Sequence, residues 1–122
     1  MHRWQLIAVA CAIGVAAAGS VHAGKHSMRE CTEGAEFIQN AARARDGGAS
    51  REAFVARLEA DLVTIRAFPP ALRWFVQDED DERFLRASVT LVYDQPLAPV
   101  RHRDVFLAAC IDRIMASAAT AG

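Results

Sequence analysis

The chain has 122 residues, enough for one domain and too few for two ordinary ones. Its 14 Lys+Arg stand against 15 Asp+Glu, and this near balance excludes a polyanion binder that works by bulk electrostatics. No nucleic-acid partner is therefore expected.

The N-terminus has the three parts of a cleavable secretory signal. His2 and Arg3 form a short cationic head, an apolar stretch runs from Leu6 to Ala18, and Val21 and Ala23 stand at −3 and −1 of the bond before Gly24. A retained anchor would need ~20 apolar residues, and this stretch has only about 13. A lipoprotein would use Cys11, but few apolar residues precede it and the stretch runs on past it. Residues 1–23 are thus expected to be removed and residues 24–122 to form a single helical domain, periplasmic or secreted, with no stable membrane span. Arg3 leaves with the signal, so the 14 cations become 13 against 15 acids, a net charge of −2.

Cys31 and Cys110 remain. Export delivers them to an oxidising compartment, and two cysteines permit one intramolecular bridge. Free thiols, an intermolecular bridge or a transient redox role are the alternatives. Closing so long a loop stabilises the fold by roughly 4–5 kcal/mol on chain-entropy arithmetic.

Residues 24–27 read as a frayed start. From Met28 the apolar positions Cys31, Ala35, Ile38 and Ala42 recur at helical spacing, with acids early and arginines late, until Gly47-Gly48 stops the helix. Ser50 is a good N-cap for a second helix, with Phe54, Leu58, Leu62 and Ile65 as its stripe and Arg57, Glu59, Asp61 and Arg66 outward. Pro69-Pro70 ends it, and Pro70 suits the first turn of a short helix. Asp78 is the N-cap of a third helix whose first turn is acidic, with Glu79→Arg83 and Glu82→Arg86 as favourable pairs. Residues 88–93 have strand-like composition, but no second strand is available to pair with them, so the helix continues. Asp94 to Pro99 is a loop. A last helix runs from near Val100 to about Ala116, with Phe106, Cys110 and Ile114 aligned and a frayed tail behind. The fold class is all-α: a small bundle of four or five helices, the bridge tying the first to the last.

Few constellations carry chemistry. The acid run Asp78 to Glu82 fails as a calcium loop, because Arg83 and Val89 occupy the positions that need glycine and glutamate. It reads as a solvated helix start, a weak cation or partner site being the alternative. Only His26 and His102 survive processing, too few for a structural zinc site alongside paired cysteines. No haem, redox, phosphate-loop or nucleophile-elbow motif occurs, so no cofactor, metal or catalytic residue is assigned. Ser88, His102 and Asp104 could be drawn as a hydrolytic set, but His102 reads as a surface residue near a helix start. The densest segment is Arg66 to Val76, with three aromatics, two arginines and a diproline. It is either a plug for the end of the bundle, its arginines bonding the nearby acids, or a partner site carried by Arg66, Arg73 and Trp74.

Cys31, the helix end Ala42 to Gly47, the run Pro69 to Val76, Asp78 to Glu82 and the closing Phe106 to Cys110 together resemble a group of small uncharacterised exported bacterial proteins. The likeness brings no activity. In size, export and cysteine placement the chain is also similar to Rap1a/Tai-type immunity proteins and to HdeA-like acid chaperones, though no motif transfers residue roles from either.

The expectation is a non-enzymatic binding protein of immunity, inhibitor or adaptor type whose partner is another protein. An acid-stress holdase and a small metal-binding or enzymatic protein are the alternatives. N-terminal sequencing of the exported protein should find Gly24 first. An intact Met1, or lipid on Cys11, would refute the signal reading.

Overall fold

The computed structural model describes residues 26–121, so the expected signal segment and Cys11 lie outside the described residues. Four helices follow one another: α1 Met28–Asp46, α2 Arg51–Arg66, α3 Glu79–Asp94 and α4 Pro99–Ala121, with a 3-10 turn at Pro70–Leu72. Among the described residues there is no strand, and no helix is long and apolar enough to cross a membrane.

Each boundary has a local cause. Ser27 caps α1 in a reciprocal box with Glu30, so two otherwise orphaned N–H groups are bonded. Gly48, at φ +99°, takes the left-handed turn that stops α1 and lets Ala49 N–H reach Ala44 O at 2.9 Å. Ser50 caps α2 and Asp78 caps α3, each accepting the third helical N–H at 3.0 Å.

The pairing of residues fixes the topology. Cys31 bonds Cys110, Gly34 abuts Phe106 and Arg45 meets His102, so α1 and α4 run antiparallel. Arg66 binds Glu82, Glu59 binds Arg86 and Arg51 binds Asp94, so α2 and α3 do the same. The result is an up-down-up-down bundle. α1 and α4 form its most extensive seam, where a Cβ on Gly34 would lie 2.7 Å from the Phe106 ring. Only glycine admits that ring.

The core joins Ile38, Ala42, Leu58, Leu62, Leu85, Val89 and Phe106 around the bridge, whose sulfurs are fully buried. Phe75 belongs to it although it lies in the connection between α2 and α3. Its ring packs against Phe106 at 5.5 Å and Phe84 at 6.0 Å between centroids.

Several expectations need correction. Of the supposedly frayed residues 24–27, His26 is buried and Ser27 caps a helix, while 24 and 25 lie outside the described residues. Residues 88–93, by contrast, are helical within α3 as expected, and Val89 and Val92 bury on the core side. The tail after Ala116 stays helical to Ala121, as its alanine-rich composition favours. Arg83 pairs with Asp80, one turn earlier, rather than with Glu79.

The Cys31–Cys110 bridge spans 79 residues. Cys110→Ser should lower unfolding stability by about 2–5 kcal/mol in denaturant titration. Mass spectrometry should require reduction before either cysteine of the folded protein alkylates.

Candidate functional site

The connection from Arg66 to Asp78 is built around Arg73. Its guanidinium donates from Nε to Phe68 O at 2.8 Å, from Nη2 to Arg66 O at 2.9 Å and from Nη1 to Gln77 O at 3.0 Å. The Arg66 carbonyl is the last of α2, where helical partners run out, and Phe68 and Gln77 lie in the connection, so Arg73 both caps α2 and ties down the turn that follows. Gln77 closes it from the other side through Arg73 O and Trp74 O. Pro69 and Pro70 restrict the backbone between.

This stapled segment has two sides. Phe75 and Val76 are buried, and Trp74 is half-buried, edge-on to Phe37 at 5.3 Å. Phe68 and Leu72 face out, 45% and 71% exposed. Of the residues expected to plug the bundle, only Phe75 and the inner side of Trp74 do so. Of the three expected to carry a partner site, Arg66 and Trp74 keep an open side, and Arg73 is engaged by backbone.

Beside the turn, α2 and α3 are clamped by alternating charges. Arg66 holds Glu82 with two bonds of 2.8 and 2.5 Å, Arg86 holds Glu59 with two of 2.5 and 2.8 Å, and Arg86 also reaches Glu82 at 3.3 Å. Paired bonds to Arg66, and the charge of Arg86, hold the Glu82 carboxyl below its ordinary range against the opposing effect of burial. Arg86 does the same for Glu59. A groove of about 570 Å³ opens here, lined by Ile65, Arg66, Arg73, Gln77, Glu79 and Arg86.

The acid run is a solvated helix start only over Asp78, Glu79 and Asp80, which are exposed. Asp81 and Glu82 are buried, because Gln77, four positions earlier, meets Asp81 and Arg66, sixteen positions earlier, meets Glu82. Asp81 accepts Gln77 N–H at 2.9 Å and Arg113 Nη2 at 3.2 Å, and His26 Nε2 stands 3.0 Å from it. The His26 ring stacks on Phe75 at 4.6 Å, and Arg113 lies over the Phe84 ring. His102 is likewise buried rather than on the surface. Its Nε2 accepts Leu97 N–H at 2.9 Å, while Arg45 bonds Val92 O, Leu97 O and Asp46 around it. Nothing in the local sequence marked Arg45 or Arg113. Both act on partners tens of residues away, and an arginine on the flank of an apolar stripe reads as solvent-facing.

The two histidines therefore serve opposite ends of the bundle. Ser88 Oγ donates to Phe84 O, and no bond links it to His102 or Asp104. Among the described residues no group of three or more His, Cys, Asp or Glu could hold a metal ion.

Comparison with protein-family models, with curated proteins and with solved structures finds no match to this chain.

Burial, and then the charge of Arg45, push the His102 pKa below its ordinary 6.5. The unfolded chain thus binds a proton more readily than the folded one just below that value. His102 should contribute stability that is complete above pH 6.5 and is lost as pH falls from there through the lowered folded value. Denaturant titrations from about pH 7 down to about pH 5 should show this slope. His102→Gln keeps an acceptor for Leu97 N–H without titrating and should flatten it. An unchanged slope would assign the pH dependence elsewhere.

Proposed function

We propose that this is a non-enzymatic binding protein of the exported compartment, of immunity, inhibitor or adaptor type, which recognises another protein through the turn between α2 and α3. The observation that carries the reading is Leu72. A large apolar side chain is left 71% exposed, with Phe68 beside it, on a backbone held by three Arg73 bonds and two prolines. Exposed apolar groups on a fixed backbone lose little entropy when they bind, and this turn needs no rearrangement to present them. The groove lined by Arg66 and Glu79 supplies a polar rim, and Trp74 adds aromatic area at its edge. In this reading Arg66 and Trp74 meet the partner and Arg73 positions the turn.

An acid-responsive holdase is the second reading, supported by the α2–α3 clamp. Glu59 and Glu82 have lowered folded pKa values, so their contribution is present above the ordinary 4.5 and is lost as pH falls below it. Acid would then free α2 from α3 and expose Leu58 and Leu62. Suppression of client aggregation at about pH 3 but not at about pH 7 would favour this reading over the first.

The partner reading is tested on the mature, oxidised chain, using a protein captured from the exported fraction. Leu72→Ala should weaken that complex at least about tenfold, about 1.4 kcal/mol, with the melting temperature unchanged, because the side chain touches little in its own fold. Arg73→Ala should lower both, since the turn loses its staple. Normal binding by the Leu72 variant would remove the turn from the interface.

A further inference from the structure

α1 packs against both α3 and α4, while α3 and α4 make little direct contact with each other. The gap between them is a groove of about 130 Å³. Ile38 and Phe106, both buried, form its floor, with the Phe84 ring beside them at 4.9 Å from that of Phe106. Ala87 and Ser88 on α3 and Ala109 on α4 face it with short side chains that do not fill it. Leu91 and Val105 stand on its rim, 41% and 47% exposed. Among the described residues no Asp, Glu, Lys or Arg lines it.

Two polar groups interrupt this apolar lining, and each is limited to one role. His102 is only 4% exposed. Its Nε2 accepts Leu97 N–H at 2.9 Å, with Arg45 Nη1 at 3.3 Å beside it, and neither of those residues lines the groove. A backbone N–H only donates, so Nε2 carries the lone pair and the neutral ring holds its proton on Nδ1. No bond within the described chain engages that Nδ1–H. A buried donor left without an acceptor is costly, and the groove is the open space that its ring lines. Ser88 has the opposite role. Its Oγ–H is committed to Phe84 O at 2.9 Å, so toward the groove the oxygen can only accept.

We propose that this groove binds a small neutral molecule that carries one hydroxyl group on an apolar ring. A hydroxyl answers both polar groups at once: its oxygen accepts from His102 Nδ1–H, and its hydrogen goes to Ser88 Oγ. A hydrocarbon would satisfy neither. A carboxylate would shed its water for a single donor, with no cation in the lining to offset the loss. Volume sets the size. An apolar cavity of about 150 Å³ holds one benzene. A slightly smaller groove with an open rim admits the same ring with one edge left in solvent, packed against Phe84 and Phe106. The site lies between α3 and α4, so it does not rest on the α2–α3 turn's recognising another protein.

Titration of the mature, oxidised, 15N-labelled chain with phenol tests this by NMR at about pH 7.5, where the lowered His102 pKa keeps the ring neutral. Saturable shifts are expected at Ser88, Leu91, Val105 and Ala109, with a Kd near ~1 mM for so small a ligand. The His102 Nδ1–H signal should sharpen as its exchange with water slows. Toluene, of the same size without the hydroxyl, should bind at least about fivefold more weakly. Ser88→Ala should erase most of that difference and leave toluene binding and the melting curve unchanged. Ala109→Leu fills the groove, and it should abolish the shifts from both compounds without lowering the melting temperature. No saturable shift up to about 10 mM phenol would overturn the proposal, as would binding that Ala109→Leu leaves intact. Toluene binding as tightly as phenol, or a preference for phenol that survives Ser88→Ala, would remove the hydroxyl from the reading and overturn it too. Shifts at the groove that grow with protein concentration alone would give it to a second copy of the chain instead.

Discussion

The burial of Phe75 governs the shape of the molecule. Its ring comes from a connection rather than a helix, yet it is fully buried among Phe84, Phe106 and the stacked His26. Removing such a ring from a core costs about 3–5 kcal/mol, a large part of what a domain this size has in hand. To deliver it, the chain must turn sharply after α2 and come back to the core within a few residues. Pro69 and Pro70 make the turn, and Arg73 fastens it to the last carbonyl of α2, that of Arg66, and to Phe68 just beyond. Once Phe75 is inside, the residues that precede it have nowhere to bury, and Phe68 and Leu72 are carried to the surface. The exposed apolar tip follows from the core.

The buried charges act on register. Asp81 and Glu82 are neighbours on α3 that point to different helices, one toward Arg113 on α4 and the other toward Arg66 on α2. Burying carboxylates is costly, and leaving one without its partner would cost several kcal/mol. Sliding α2 or α4 along α3 by one turn would break these pairs while leaving much of the apolar contact in place. The aliphatic core supplies attraction without a preferred offset, and the ion pairs select among offsets. Arg45 does the same at the other end, joining α1 to the end of α3 and to the loop before α4.

What could be read from the sequence was what local chemistry determines. Ser50 and Asp78 announce helix starts by side-chain capping, Gly48 announces a stop through its backbone freedom, and Cys31 and Cys110 sit on stripes that must face inward. The strand-like run Val89 to Tyr93 is helical because its neighbours are helices, which is tertiary context overriding propensity. The buried polar residues that were misread answer to distant partners. Asp81 and His26 are 55 positions apart, and Arg45 and His102 are 57. A charged or imidazole side chain carries no local mark of burial when its counterpart is that remote. For the same reason, Arg73 was legible as part of an unusual segment, while its bonding to carbonyls rather than carboxylates was not.

α2 shows how far a stripe argument reaches. The inward stripe of Leu58 and Leu62 was evident, and an amphipathic helix would have placed polar residues opposite. Alanines and Val63 stand there instead. In a bundle this small, α2 contributes to the core with one face only, and α3 is its principal neighbour. Nothing in the fold therefore requires the outer face to be apolar, whereas solubility favours charge at such positions. Alanine is the best helix former, so these residues favour α2 as a helix, while the charges that bond α3 are Arg51, Glu59 and Arg66 on the flank nearest it. The turn and the outer face of α2 meet at Ala67 and Phe68. Thus both exposed apolar features lie along one edge, and the α1–α4 seam with its disulfide forms the rigid side behind them.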